Sequence, residues 1–493
     1  MSSLQSTRIR LSIGVAIIVA TALGAYLLTR GRAPARATDR NSIAVLAFEN
    51  FGADPANEFF SEGITDDIIT QLSKLDGIKV ISRTSSMQYR GRGKSLPQIG
   101  QELGVATVLE GSVRRAGNRV RVVAQLIDVR TDEHLWADTY DRDLKDIFAI
   151  QTDVAGRIAA ALGAQLRPAS RAVAQRPTPD LEAYELYLRG RYLWNRRRAA
   201  TIRQAIDYLE RATARDSAFA LAWAGIADAY VALPFYGSVT VADAYPKARR
   251  AAERALTLDP SLGEAHASLG WVLWYDWKWR DAEEQFKQAI ALRPGYATAH
   301  HWYAEFLSSA GREDESLSEI RRALVLDPLS LILNQYLCGA FHFARRYDEA
   351  LEQCRRTLEL DPDAPFVFRR LSWIYYDLGR TDDMISALGR WSQLSNTPLP
   401  NVDAMRTARQ AKGDSGLFAL LATTPSNTSV SAVERAMWYL GANNRDQALR
   451  SLEDGFAARD VLIGYLHELP SLDSLHNEPR YQALVTRMGL TTR

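Results

Sequence analysis

Four prolines constrain this chain more than any other feature. Leu258-Asp259-Pro260, Leu292-Arg293-Pro294, Leu326-Asp327-Pro328 and Leu360-Asp361-Pro362 recur every 34 residues. A fixed period of that length is the mark of stacked helix pairs, each of which buries its apolar face only against its neighbours. Gly263–Tyr296 gives one unit, with Leu269, Gly270, Ala282, Phe286, Ala289 and Pro294 at its key positions. Small residues stand where the paired helices touch, large ones where pairs stack, and proline where a helix must stop.

Period and positions together are those of the tetratricopeptide repeat, and they predict an all-α superhelix over 181–397. Asp216-Ser217 takes the place of an earlier repeat end in a stretched unit whose extra residues fall around Leu233–Val241. Pro398 and Pro400 open an expected irregular break over 398–431, and 432–493 reads as degenerate pairs with a C-terminal cap. About seven pairs result.

The first helix of each pair lines the concave side of such a superhelix. That face is expected to carry Trp271, Trp274, Tyr275, His301, Glu305, His342, Phe343, Arg369, Trp373 and Tyr376. Aromatic and arginine side chains dominate binding hot spots, so these ten are the candidate groove for a peptide or protein partner. The competing reading makes them core between helices. Repeats that clamp a chaperone tail use basic and Asn residues where Ala267, Trp271, Thr298 and Trp302 stand here, so a carboxylate clamp is not expected.

Residues 41–166 form a different unit, joined to the array by a linker over 167–180. Ser42–Phe48 is a short buried strand, and Phe60, Ile64, Ile68 and Leu72 mark an amphipathic helix. Ile78–Ile81, Val105–Val113 and Val120–Val129 read as strands, the last two joined across Ala116-Gly117-Asn118, with helices over Leu96–Leu103 and Ile147–Leu166. The order β-α-β-α-β-β-α predicts a small mixed sheet covered by helices. Glu62, Asp66 and Asp67 read as a solvated helix face, and Asp141, Asp143 and Asp146 as helix-start acids.

Ser42 to Asn50 (SIAVLAFEN), Phe60 to Asp67 (FSEGITDD), Ser82-Arg83-Thr84-Ser85, Leu109 to Arg114 (LEGSVR), His134 to Ala137 and Tyr140-Asp141-Arg142 occur in an order that resembles the TolB-like N-terminal domain. Ala47 departs from that pattern, where the family usually has proline. The tail Asn477-Glu478-Pro479-Arg480-Tyr481 is similar to the end of TolB-plus-repeat proteins. The resemblance implies a bacterial protein of a kind often fused to winged-helix, nucleotide cyclase or kinase domains. It also implies a periplasmic position behind a single span.

Leu11–Leu28 supplies that span as eighteen uncharged residues, with Arg8 and Arg10 before it and Arg30, Arg32, Arg36 and Arg40 after it. The expected layout is a tail over 1–10, a transmembrane anchor over 11–28 and a linker over 29–40. A cleaved signal peptide ending near Ala35-Arg36-Ala37 is the alternative. The arginine count alone favours a cytoplasmic bulk, against the resemblance. Ala16, Ala20 and Gly24 form a small-residue stripe on which a homodimer could pack.

A formal charge of +2 gives no footprint for nucleic acid, and two cysteines allow neither a disulfide framework nor a four-thiolate zinc site. Gln88 stands where a P-loop ending at Gly93-Lys94-Ser95 needs glycine, and no HExxH spacing occurs among seven histidines. Cys338 and Cys354 face each other within one repeat and are expected as buried thiols, with a bridge as the alternative that an oxidising compartment favours. No catalytic, cofactor-binding or metal-ligating residues are expected. The function predicted is a non-enzymatic, membrane-tethered interaction scaffold in the bacterial inner membrane, with its bulk in the periplasm. The alternative is a signalling component acting with a nucleotide cyclase or transcription regulator supplied in trans.

Overall fold

The computed structural model of the chain describes residues 41–52, 57–75, 77–163, 177–236, 239–424 and 430–490. The anchor, its small-residue stripe and the homodimer expected of it lie outside these residues. Among the described residues no helix is long and apolar enough to cross a membrane.

The N-terminal unit is a six-stranded mixed sheet. Its strands are β1 (Ser42–Val45), β2 (Glu49–Asn50), β3 (Lys79–Val80), β4 (Thr107–Ala116), β5 (Arg119–Asp128) and β6 (His134–Asp143), in the order β3-β1-β4-β5-β6, with β2 beside β4. β1 runs parallel to β3 and β4, and β4-β5-β6 is an antiparallel meander. Helices α1 (Glu58–Leu72), α2 (Arg83–Ser86), α3 (Leu96–Leu103) and α4 (Ile147–Ala161) complete it. Ser95 opens α3 with a capping box and Gly104 closes it in the left-handed region at φ 63°, as its position predicts. The sequence reading misses β6. As an edge strand with one buried residue, Tyr140, it lacks the apolar alternation that marks a half-buried strand.

Ten helices follow as five pairs, α5 (Leu181–Trp194) with α6 (Ala199–Arg215), α7 (Ala220–Ala232) with α8 (Val241–Leu258), α9 (Gly263–Tyr275) with α10 (Trp279–Leu292), α11 (Ala297–Ser309) with α12 (Glu313–Leu326), and α13 (Leu331–Phe343) with α14 (Tyr347–Leu360). A sixth pair is α15 (Pro365–Asp377) with α16 (Thr381–Ser395). Ala282, Phe286 and Ala289 are fully buried, and a Cβ on Gly270 would come within 3.1 Å of the Phe286 ring, which is why the close helix contact there takes glycine.

Three expectations are corrected. The break over 398–431 contains helix α17 (Val402–Ala422), capped by the Asn401 side chain and kinked at Lys412-Gly413. It forms because Met405, Leu417, Phe418 and Leu421 bury against Met384, Leu388, Trp391 and Trp438. Cys338 and Cys354 are joined as a disulfide, because the paired helices α13 and α14 hold their Cα atoms 5.3 Å apart. Opening that bridge with Cys338→Ser is expected to lower stability by about 3 kcal/mol in denaturant titrations; an unchanged midpoint would argue that the bridge contributes nothing. The acids Glu62 and Asp67 are not a solvated face. Asp67 accepts from Gln151 at 2.9 Å and from the Tyr184 hydroxyl, and burial pushes its carboxyl up to about 7. Glu62 pairs with Arg83 and Arg90.

The buried acids belong to a wider arrangement, in which the α/β unit is docked on the array. Its core continues without a break through Tyr184, Tyr187, Leu188, Phe219 and Ile226. Gly63 lets α1 approach α5, since a Cβ there would meet Leu188 at 2.7 Å. Two repeat-end loops complete the seam. Ser85 donates to Asp327 at 2.5 Å, Leu329 N–H donates to Ser85 at 2.8 Å, and Ser82 N–H donates to Leu326 O at 2.7 Å. Arg293, the one arginine among the four Leu-x-Pro ends, donates to Ser73 at 2.9 Å and Thr70 at 3.1 Å and pairs with Glu264. Arg293→Asp, which restores the residue found at the other ends, is expected to weaken the seam by about 2–4 kcal/mol. Proteolysis should then separate the two units, and wild-type resistance would contradict this account.

Candidate functional site

The ten candidate groove residues do converge on one face, formed by α9, α11, α13 and α15. They are not open to solvent. Trp274, Tyr275, His342 and Phe343 are at most 1% exposed, and Trp271, His301, Glu305 and Trp373 are buried. Only Arg369 and Tyr376 are half-buried. The expectation of an open groove is corrected to a filled one, and what fills it is the end of the same chain.

After α18 (Ala432–Gly441) and α19 (Arg445–Ala458), residues 459–475 cross the concave face as two 3-10 turns, Ile463–Tyr465 and Pro470–Leu475, before α20 (Pro479–Arg487). Leu462, Ile463, Tyr465, Leu466, Leu469, Leu472 and Leu475 of this strap are buried in the core of the array. Gly464 lies on Trp274, where a Cβ would come within 3.2 Å of the ring. The Tyr465 ring sits edge-on to Trp274 at 5.7 Å and stacks on Phe343 at 6.0 Å. Phe235 and Trp302 continue the aromatic layer around Trp271, whose Nε1 donates to the Tyr245 hydroxyl at 2.8 Å.

Polar groups anchor the strap along its length. Tyr275 donates to Val461 O at 2.6 Å, and Arg459 donates to Tyr275 O at 2.6 Å. Tyr465 donates to Glu305, which also pairs with His301 at 2.8 Å. Ser308 and Ser309 both donate to the Glu468 carboxyl. Ser471 donates to Asp377 at 2.6 Å, the residue that also holds His342 at 2.6 Å. Arg345 pairs with Asp473 at 2.5 Å. Beyond the strap, Glu434 of α18 accepts from Arg369 at 2.7 and 2.5 Å and from Trp373 Nε1 at 3.1 Å, and Tyr376 donates to Met437 O at 3.0 Å.

Burial sets the charge states here. Glu468 is fully buried, which pushes its carboxyl up to about 8 against the opposing pull of Ser308, Ser309 and Arg370. Burial likewise lowers Arg370 to about 10 and lowers His342 in spite of Asp377. Among the described residues no group of three His, Cys, Asp or Glu side chains is placed to hold a metal ion. The arrangement is a row of aromatic side chains edged by arginines and covered by leucines and acids of the strap.

The sequence reading omitted Arg370, Glu434, Tyr465, Glu468 and Asp473. Glu434 had a signal, because Ser431 and Glu434 form a capping box, although the bidentate bond to Arg369 lies beyond it. The strap had none, since its leucines follow no single period.

Residues 268–330 match the family model described as tetratricopeptide repeat. A protein of Rhizobium meliloti (strain 1021) named "Putative adenylate cyclase 3" is 37% identical over 263 residues, which are 52% of this chain and 38% of that protein. The chain therefore spans well under half of that relative. Among solved structures, pilF of Pseudomonas aeruginosa shares 18% identity, covering 49% of this chain and 95% of that one with a TM-score of 0.30. A tetratricopeptide protein of Thermus thermophilus shares 18%, covering 42% and 98% with a TM-score of 0.32. YrrB, described as a TPR protein with an unusual peptide-binding site, shares 22%, covering 34% and 82% with a TM-score of 0.25.

Proposed function

We propose that this chain is a non-catalytic, membrane-tethered scaffold that binds a peptide or protein partner on the concave face of its tetratricopeptide array. The observation that carries the reading is that face itself, where Trp274, Tyr275 and Phe343 meet the strap, Arg345 pairs with its Asp473, and Arg369 and Trp373 hold Glu434 of α18. The TolB-like resemblance of 41–166 and the uncharged run Leu11–Leu28 support tethering with the bulk of the chain in the periplasm. The Cys338–Cys354 bridge supports the same placement, because disulfides persist in oxidising compartments.

Photocrosslinking in cells tests the partner site. A photoreactive residue at Arg345, on the concave rim, should give an adduct with another protein, whereas one at Arg355, 59% exposed on α14, should not. Adducts from Arg355 alone would overturn the proposal. A phosphatase fused to the C-terminus tests orientation, because activity there requires export; an inactive fusion would place the bulk in the cytoplasm.

A second reading has one observation in its favour, the 37% identity to a protein named as an adenylate cyclase. On it, the scaffold is a signalling component whose partner is a nucleotide cyclase. Co-purification of cyclase activity with the tagged full chain would favour this reading. Cyclic nucleotide made by the purified chain on its own would instead overturn the non-catalytic assignment.

A further inference from the structure

The strap closes the concave face with one defect. Two donors beneath it, Trp274 Nε1 and Arg370 Nη1, are buried without a hydrogen-bond partner. Trp274 lies under Gly464, whose Cβ would sit 3.6 Å from the ring carbon bonded to Nε1. The Arg370 guanidinium rests on the faces of Phe343 and Trp373, 4.5 Å from each ring centre, and the missing side chain of Gly339 leaves it room. Glu468 and Tyr465 are within its electrostatic reach, yet Glu468 accepts from Ser308 and Ser309 instead. Buried donors left unmet are costly, so a ligand with acceptors at those two positions gains what the strap forgoes.

Two further observations bear on release. The strap is built of 3-10 turns, whose hydrogen bonds are poorer than those of an α-helix, so its contacts with the array, more than bonds within the segment, must outweigh the entropy of ordering it. Its charge also complements the face, because Asp473 of the strap pairs with Arg345 on the rim.

We infer that residues 459–475 are a resident ligand closing the concave face, and that the partner displaces them with an extended segment combining leucine-type side chains and carboxylates. The leucines fill the pockets of Leu462, Leu466 and Leu469, and the carboxylates reach Arg345 and Arg370. This rests on the concave face being the partner site, and it adds how access is controlled and which peptide chemistry gains entry.

Hydrogen exchange on the purified full chain tests this without any variant. Amides of 462–472 should exchange at least tenfold faster than those of 299–309, through local opening. One common rate, set by global unfolding, would overturn the inference. A second arm uses a fluorescent peptide of residues 459–475 and the full chain carrying Leu466→Ser and Leu469→Ser. The peptide should bind this variant at least tenfold more tightly than the wild type, and a peptide with Asp473→Asn should bind it more weakly. Equal binding to both chains, or none to a variant that keeps its helical circular dichroism, would overturn the inference. Should concave-face crosslinks to a partner persist in that case, the partner reading stands and only the closure falls.

Discussion

Replacing Arg369 with alanine is expected to lower the stability of the array by about 3–5 kcal/mol, the usual cost of stripping one partner from a buried ion pair. Glu434 is 1% exposed and both of its oxygens accept from the Arg369 guanidinium. Without Arg369 its charge keeps only Trp373 Nε1 and the Ser431 N–H. The pair joins α15 to α18, so its loss should loosen the C-terminal helices that lead into the strap. Adding Glu434→Gln to Arg369→Ala should recover part of the loss, because the amide oxygen still accepts from Trp373 and no charge remains buried. Urea titration of wild type, both single variants and the double variant gives the coupling directly. A loss below about 1 kcal/mol in Arg369→Ala would place this pair among weakly contributing surface bridges.

Glu468 gives the second large effect, and its sign is opposite to that of most carboxylates. A carboxyl held above its ordinary range in the folded chain binds its proton more tightly there than in the unfolded chain. Its stabilising contribution is therefore complete below about pH 4.5, the unfolded value, and is lost as pH rises toward about 8, the folded value. At about 1.4 kcal/mol for each tenfold difference in proton affinity, the loss is on the order of 3–5 kcal/mol. The groups facing Glu468 are Ser308 and Ser309 of α11, Glu313 of α12, Tyr336 of α13 and Arg370 of α15. Glu468→Gln keeps the acceptor for the serines and removes the ionisation. Its melting temperature should match the wild type near pH 5 and exceed it above pH 8. Equal pH profiles for the two proteins would mean that Glu468 is ionised throughout.

Both predictions concern residues that join distant parts of the chain, and neither pairing is legible locally. What is legible has a short reach. Helix boundaries from Gly263 to Leu360 follow from the prolines, because a tetratricopeptide pair contacts only its neighbours and so writes its packing into a fixed spacing. Strand β5 follows from period-two alternation, β4 from the apolar run that precedes the Gly117 turn, and β6 escapes because an edge strand need not alternate. Helix α17 hides behind Pro398 and Pro400, since proline there ends one helix while Asn401 caps the next. Glu62 and Asp67 carry charges that read as solvated until Tyr184 and Arg83 are seen to satisfy them.

The candidate site divides along the same line. Periodicity alone selects the ten residues that share one face, because the first helix of each repeat presents the same offsets inward. It does not say what lies on that face. Trp274 and Phe343 stand several repeats before Tyr465, the ring between them, and no pattern of spacing encodes a contact between a regular helix and an irregular strap. The sequence by itself determined the repeat architecture and the mixed sheet, both of which rest on local periods. Only the tertiary structure decided that the sheet docks on the repeat ends through Arg293 and Asp327, and that the groove is closed by its own chain. Those are long-range contacts whose energy comes from burial and charge pairing between segments that the sequence keeps far apart.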